Sequence, residues 1–179
     1  MKRILLMGNP NVGKSALFNR LTGARVIESN YPGTTVDYTR GYLTLQGEEF
    51  EIIDVPGTFS LNPKDKAEEV AVRILEENKG SLVICVLDST KIERGLYLAL
   101  EVIERGYPVI IALNMWDVAK DKNISIDVEE LEKILGVPVV PTVAISGEGI
   151  KKLVSRIKDA KKVKIKDIAR RAYSEKVNS

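Results

Sequence analysis

Apolar positions along this 179-residue chain fall into two alternating rhythms. Continuous short apolar runs occupy 2–7, 82–88, 108–114 and 137–141, as buried parallel strands require. Between them the spacing turns helical. Leu96, Leu100 and Ile103 mark one helix over 93–105. Val128, Leu131, Ile134 and Leu135 mark another over 127–135, which Gly136 stops. Segments 42–45 and 50–53 flank Gln46-Gly47-Glu48-Glu49 and predict a hairpin. Strands alternating with helices predict an α/β fold: a mostly parallel six-stranded sheet with one antiparallel edge strand and helices on both faces.

The tail has a different character. From Lys161 onward basic residues outnumber acidic ones, yet Ile165, Ile168, Ala169 and Ala172 recur at i, i+3, i+4 and i+7. That predicts an amphipathic helix over 163–177. The chain therefore divides into a main domain over 1–160 and a basic helix over 161–179. A basic helix can contact RNA or a membrane surface, or it can pack on the domain and leave a solvated face. The second is expected, because charge runs are weak indicators of a partner.

Composition narrows this picture mainly by exclusion. The length suits one domain with a full core. A net charge of +2 does not imply a nucleic-acid partner. The single cysteine, Cys85, lies in an apolar run and reads as a buried strand residue, so no disulfide forms within the chain; this fits a reducing, cytoplasmic setting. No apolar stretch approaches the roughly 18 residues of a membrane span. The first apolar run is too short for a signal peptide. The chain has no histidine, which removes histidine general-base chemistry and most zinc sites.

The strongest chemical signal follows the first strand. Gly8-Asn9-Pro10-Asn11-Val12-Gly13-Lys14-Ser15 has the form G-x-x-x-x-G-K-[ST] of a phosphate-binding loop. The glycines let the backbone curl round a phosphate, and successive N–H groups form an anion nest at a helix N-terminus. Lys14 reaches β- and γ-phosphates, the Ser15 hydroxyl ligates Mg²⁺, and Ala16 continues into the helix. Leu17, Phe18 and Leu21 give that helix its apolar face and Gly23 ends it, so the loop has the strand–loop–helix context the motif requires.

A second constellation selects the base. Asn114-Met115-Trp116-Asp117 stands at the end of the run over 108–113. A carboxylate at Asp117 can accept from N1–H and the exocyclic amine of guanine. Adenine offers neither donor there and would leave it unpaired. Asn114 can tie this segment to the phosphate loop and approach the base N7. Val143-Ala144-Ile145-Ser146-Gly147, after the last strand, is placed to cover the guanine with backbone. The Ala144 N–H is expected to meet guanine O6.

Two further segments read as γ-phosphate sensors. Asp54-Val55-Pro56-Gly57 has the form D-x-x-G, with Asp54 placed to hold a Mg²⁺-bound water and the Gly57 N–H to meet the γ-phosphate. Tyr31-Pro32-Gly33-Thr34-Thr35-Val36-Asp37 offers two adjacent threonines, one of which would complete the Mg²⁺ shell. Ras-type enzymes carry a water-orienting glutamine just after D-x-x-G. Here that position is Thr58, too short and uncharged, and no arginine finger is evident in cis. Slow intrinsic hydrolysis is therefore expected unless another positive charge is supplied. The Asn11 carbonyl, with backbone carbonyls around 29–33, could hold a monovalent cation where an arginine finger otherwise sits.

Together these motifs, with Asn30-Tyr31-Pro32-Gly33-Thr34-Thr35-Val36-Asp37, Asp54-Val55-Pro56-Gly57-Thr58-Phe59-Ser60-Leu61 and Ile92-Glu93-Arg94-Gly95-Leu96-Tyr97-Leu98, resemble the G domain of the ferrous iron transport protein B family, FeoB, over about residues 2 to 160. Met115 is telling, because most other GTPases have lysine there. Tyr31 departs from the family's usual tryptophan, and the family's single threonine aligns with Thr35. The resemblance implies a Ras-like P-loop GTPase that binds GTP and GDP with Mg²⁺, is stimulated by K⁺ through Asn11, and uses Lys14, Thr35 and Gly57 at the γ-phosphate. It also points to Glu69 as a glutamate that helps organise the attacking water. It implies a partner in a membrane-embedded iron-transport region, on the same or another chain, with this domain at the cytoplasmic face. The amphipathic tail would then be the first element of a helical domain. A homodimer or trimer is left open, and no nucleic-acid partner is expected. The alternatives are a soluble K⁺-dependent GTPase of ribosome or tRNA biology, similar to Era or MnmE, and a nucleotide-binding module with little turnover.

Overall fold

The structure, a computed structural model, describes residues 2–178. Seven strands among them form one sheet: β1 (Lys2–Gly8), β2 (Ile27–Asn30), β3 (Asp37–Leu45), β4 (Glu48–Asp54), β5 (Leu82–Asp88), β6 (Val109–Asn114) and β7 (Val139–Pro141), in the order β2-β3-β4-β1-β5-β6-β7. The helices are α1 (Lys14–Leu21), α2 (Lys66–Glu77), α3 (Ile92–Glu104), α4 (Trp116–Asp121), α5 (Val128–Leu135), α6 (Ile150–Arg156) and α7 (Ile165–Asn178), with a 3₁₀ turn over Ile157–Asp159.

The α/β architecture, the parallel sheet and the helices on two faces are as the sequence predicts. The count of six strands becomes seven. The added strand, β2, is four mostly exposed residues, Ile27-Glu28-Ser29-Asn30, with no apolar rhythm to betray it. It pairs antiparallel with β3, and β3 pairs antiparallel with β4. β3 is thus the one strand running against the rest, but it is not the edge; β2 is. The hairpin turn is also tighter than the expected four residues. Gln46 and Gly47 alone form it, both at positive φ, which matches the right-handed twist of the flanking strands.

Alternation along the central strands feeds two cores. Leu5 and Met7 of β1, with Val83, Cys85 and Leu87 of β5, face a layer containing α2, α3, α5 and α7. Ile4 and Leu6, with Ile84 and Val86, face α1 and α6 through Leu17, Phe18, Leu21 and Leu153. Strands buried on both faces read as unbroken apolar runs, which is why the sequence announces them. Burial pushes the Cys85 thiol up to about 12, so this residue is the inert core cysteine expected.

The basic tail packs on the domain. Ile168 is buried in the first core, with Val163 and Ile165 against it. The Arg171 guanidinium donates to the carbonyls of Ile134 (2.7 Å) and Leu135 (3.3 Å), at the C-terminal end of α5 where the helix dipole favours a cation. Lys133 pairs with Glu175 at 3.3 Å. No helix among the described residues is long and apolar enough to cross a membrane.

Candidate functional site

Four parallel strands deliver the motif residues to one edge of the sheet, at their carboxyl ends. Register fixes their relation: Leu6 lies beside Asp54, Gly8 beside Val86, and Asp88 beside Asn114. In open α/β sheets this edge is where ligands bind.

The phosphate loop leaves β1 at Gly8 and enters α1 at Lys14. Asn11 (φ 66°) and Gly13 (φ 81°) take left-handed conformations that wrap the intervening backbone into a cup. No side chain caps the first N–H groups of α1, which leaves them to an anion. Gly13 is required twice over, since a Cβ there would run into the side-chain amide of Asn114. A Cβ on Gly57 would sit 3.1 Å from the Pro10 backbone, so the D-x-x-G segment lies directly on the loop. Asn9, Pro10, Asn11, Gly13, Lys14, Ser15, Ala16 and Gly57 line a cleft of about 480 Å³. Val12 points away from it into the second core.

At the floor of this cleft the Lys14 ammonium pairs with the Asp54 carboxylate and donates to the Val55 carbonyl. Both charged side chains are only 11% exposed. The Ser15 hydroxyl is 3.4 Å from the other Asp54 oxygen. Hard oxygen donors, one hydroxyl and one carboxylate, stand together, and they suit Mg²⁺ completed by phosphate oxygens and water. No cluster of three or more Asp, Glu, Cys or His that could hold a metal occurs among the described residues. A metal here would therefore be held jointly with a ligand, not by a protein cage.

The base end is organised round one buried side chain. Asn114 is 3% exposed. Its Nδ2 donates to the Val12 carbonyl (2.9 Å), which ties β6 to the phosphate loop as the sequence predicts. Its Oδ1 accepts from the Thr142 hydroxyl (3.1 Å) and from the Ala144 N–H (3.0 Å). Its main-chain carbonyl accepts from the Ser89 hydroxyl (2.6 Å). Met115 takes a left-handed conformation (φ 58°) and turns the chain into α4, leaving Asp117 exposed in its first turn. Val143 and Ala144 are buried and Ile145 is 85% exposed. The Ala144 N–H, expected to face guanine O6, donates here to Asn114 Oδ1. Ile145 supplies the donor of this loop that has no partner among the described residues.

The first sensor segment separates its two threonines. The Thr34 hydroxyl donates to the Tyr31 carbonyl (2.8 Å) and accepts from the Val36 N–H (3.1 Å), so it closes its own turn. Thr35 is exposed and has no polar partner among the described residues. Gly33, Thr34 and Thr35 do not line the phosphate cleft. The Tyr31 ring is buried, and its hydroxyl bonds Glu77 at the end of α2.

The second sensor segment is held by a residue that the sequence reading passes over. Glu68 is buried, and its carboxylate accepts from the Phe59 N–H (2.9 Å), the Lys64 N–H (3.0 Å) and the Thr58 hydroxyl (2.9 Å). The Phe59 N–H contributes most to holding its carboxyl below the usual range, against burial, which pushes the other way. Asp65 caps α2 by accepting from the Glu68 N–H at 2.8 Å. The spelling Asp65-x-x-Glu68 is a capping-box signature, and that signal marks Glu68 in the sequence. Thr58 is wholly buried in this network, its N–H bonded to the Gly8 carbonyl (3.0 Å). Glu69, the glutamate suggested by resemblance, stands exposed on α2 and pairs with Lys66 at 3.5 Å.

Known proteins resemble the chain in sequence and in fold. The family model described as ferrous iron transport protein B matches residues 2–157. A Porphyromonas gingivalis protein named "Fe(2+) transport protein A/Fe(2+) transporter FeoB fusion protein" is 44% identical over 153 residues, covering 84% of this chain and 18% of that protein. The cytosolic domain of L. pneumophila FeoB superimposes with a TM-score of 0.86 at 40% identity, over 91% of this chain and 70% of that one. The G domain of the T. maritima FeoB iron transporter gives a TM-score of 0.82 at 42% identity, over 88% of this chain and 97% of that one. The chain spans about a fifth of the length of the curated relatives it matches.

Proposed function

Since this chain belongs to the ferrous iron transport protein B family and has the fold of its P-loop GTPase domain, we propose that it is a guanine-nucleotide switch that hydrolyses GTP to GDP and phosphate and regulates Fe²⁺ movement through a membrane region on the same or a partner chain. The observation that carries this reading is the Asn114 side chain. It joins the phosphate loop, through Val12, to the loop that would cover the base, through Ala144. One buried amide thereby sets the spacing between the two ends of a nucleotide.

In this reading the nest of N–H groups over 9–16 binds the phosphates. Lys14 leaves Asp54 for the β- and γ-phosphate oxygens. Ser15, Thr35 and, through water, Asp54 are the groups that would hold Mg²⁺, which when bound supplies charge neutralisation at the β- and γ-oxygens. Thr35 suits that role better than Thr34, because the Thr34 hydroxyl already closes its own turn. The Gly57 N–H orients the γ-phosphate. Asp117 reads the guanine edge, with Met115, Val143, Ala144 and Ile145 as its surroundings. Asn11, exposed at the rim of the loop, is the side chain we assign to a K⁺ ion that offsets the missing arginine finger. With Thr58 buried, no side chain after D-x-x-G orients water, so slow turnover is expected without K⁺. Glu68 fixes the backbone of this segment, and Glu69, exposed on α2 and paired with Lys66, is the glutamate that the family resemblance assigns to the attacking water. The domain would work at the cytoplasmic face of the membrane. The tail helix would begin a further helical unit.

The test is single-turnover hydrolysis with Mg²⁺ and saturating nucleotide, in K⁺ and in Na⁺. GTP cleavage faster in K⁺, lost in Asn11→Ala, with ATP left intact, is expected. Equal rates in the two salts would remove the cation role, and no cleavage in either would leave a binding module. A GTPase of ribosome or tRNA biology has less in its favour. The basic helix it would use against RNA spends Ile165, Ile168 and Arg171 on packing against the domain.

A further inference from the structure

The loop over 143–147 is anchored at its base but not at its tip. Val143 N–H bonds the Glu148 carbonyl (2.9 Å), the Gly147 N–H bonds the Val143 carbonyl (2.9 Å), and Ala144 N–H bonds Asn114. The tip residue, Ile145, is 85% exposed and so offers no side-chain anchor. What grips the tip comes from across the molecule. Arg20, in the last turn of α1, donates from Nε to the Ala144 carbonyl (2.9 Å) and from Nη2 to the Ile145 carbonyl (2.5 Å). Its guanidinium also lies against Gly147, where a Cβ would come within 3.3 Å of Nη1. The planar fork of arginine suits two adjacent carbonyls, which a lysine ammonium cannot match. The position is supported locally as well, since a cation in the last turn of α1 meets the negative end of the helix dipole.

We propose that Arg20 is a positioning residue for the base-covering loop and sets how long a guanine nucleotide stays bound. The inference rests on the guanine reading of Asn114 and Asp117. The helix carrying Arg20 begins with Lys14 and Ser15 at the phosphates. A single eight-residue rod therefore connects the phosphate end of the site to the carbonyls of the base loop. With the fork in place, Ile145 presents its N–H from a fixed backbone. Without it, the Ala144 and Ile145 carbonyls lose their side-chain partner and the tip keeps only the Asn114 bond and the loop's own short bonds to Val143, so the base can leave while the phosphates are still held.

The experiment uses a fluorescent GDP analogue and the intact chain. Dissociation is followed by chase with unlabelled GDP for the wild type, Arg20→Ala and Arg20→Lys. Loss of charge-assisted hydrogen bonds to the loop is expected to raise the dissociation rate about tenfold in Arg20→Ala. Arg20→Lys should recover part of the effect, because it restores a charge but not the fork. The loss should appear in nucleotide release and KM, with single-turnover cleavage of bound GTP changing far less. GDP release from Arg20→Ala at the wild-type rate would overturn the proposal. So would equal falls in release time, cleavage rate and melting temperature, which describe a weakened fold. A separate chase of the wild type with ATP and GTP guards the premise: displacement by both alike would sink the guanine reading itself, whereas displacement by GTP alone leaves Arg20 on trial.

Discussion

The two ends of the site are built in opposite ways. At the base end, Asn114 is buried and bonded on both side-chain atoms, and its partners come from 28 to 102 residues away. At the sensor end, Thr35 is exposed without a polar partner among the described residues; its neighbour Thr34 bonds only within the turn, to residues two and three away, and the segment's long-range tie is the Tyr31 hydroxyl on Glu77. The first is a frame cross-linked by protein groups alone. The second is a turn closed by the Thr34 hydroxyl, with the proposed Mg²⁺-holding hydroxyl of Thr35 left without a polar partner among the described residues. Recognition of a base profits from preorganisation, because ordering costs are met during folding. A sensor must change when its ligand changes, so it belongs among elements with few long-range ties. The segment after Asp54 lies between these extremes: Glu68 gathers Phe59, Lys64 and Thr58, and Glu101 accepts from the Leu61 N–H at 3.1 Å.

That contrast can be broken at four points, in falling order of effect. Asp117→Asn should shift preference from GTP to the xanthosine nucleotide by on the order of 10⁴-fold, since the base edge and its partner would then mismatch for guanine and match for xanthine. Competition binding with GTP and XTP reads this, and an unchanged preference would remove the guanine assignment. Asn114→Ala should destabilise the whole domain, as the Val12 carbonyl, the Thr142 hydroxyl and the Ala144 N–H lose their buried partner. A cost of about 3 kcal/mol, or roughly 10 °C in melting temperature, is expected. A variant that melts like the wild type would show that the frame is not a frame.

Thr35→Ala should leave stability and GDP affinity intact while weakening Mg²⁺–GTP about tenfold, a loss of one charge-assisted contact. Thr34→Ala should do the reverse, costing about 1 kcal/mol of stability through its turn. Calorimetry and titration on both variants separate the two, and identical behaviour would abolish the distinction drawn from their hydrogen bonds. The smallest effect concerns Glu68. Its folded-state pKa is lowered, so its contribution is present above the unfolded value of about 4.3 and disappears as pH falls through the lower folded value. Amide-exchange protection at Phe59 and Lys64 should therefore hold through neutral pH and fail only below that range. Glu68→Gln should lower it at neutral pH and remove its dependence on acid.

Much of this was legible in the residue order. Gly8 to Ser15 encodes its own cup, because the backbone conformations at Asn11 and Gly13 and the helix that follows are local properties. The apolar runs named four of the seven strands, since a strand buried on both faces leaves no ambiguity of period, and the turn signal at Gln46-Gly47 named the two strands of the hairpin. Ile165, Ile168 and Ala172 were enough to indicate that the basic tail is a packed helix. The short polar β2 was hidden because its pairing with β3, not its own composition, makes it a strand.

What only the tertiary structure decided is which polar groups are free. Thr34 and Thr35 are the same residue type side by side, and only the turn shows that one hydroxyl is spent. The Ala144 N–H finds a protein partner in Asn114, 30 residues away, only once the chain is folded. Glu68 and Glu69 are equivalent in composition, but the helix phase buries one and exposes the other. Arg20 reaches carbonyls more than 120 residues away, at Ala144 and Ile145. A sequence specifies donors, acceptors and local backbone geometry. Which of them meet depends on through-space distances that the packed sheet and helices set, and hydrogen bonds, being short-ranged and directional, are made only there.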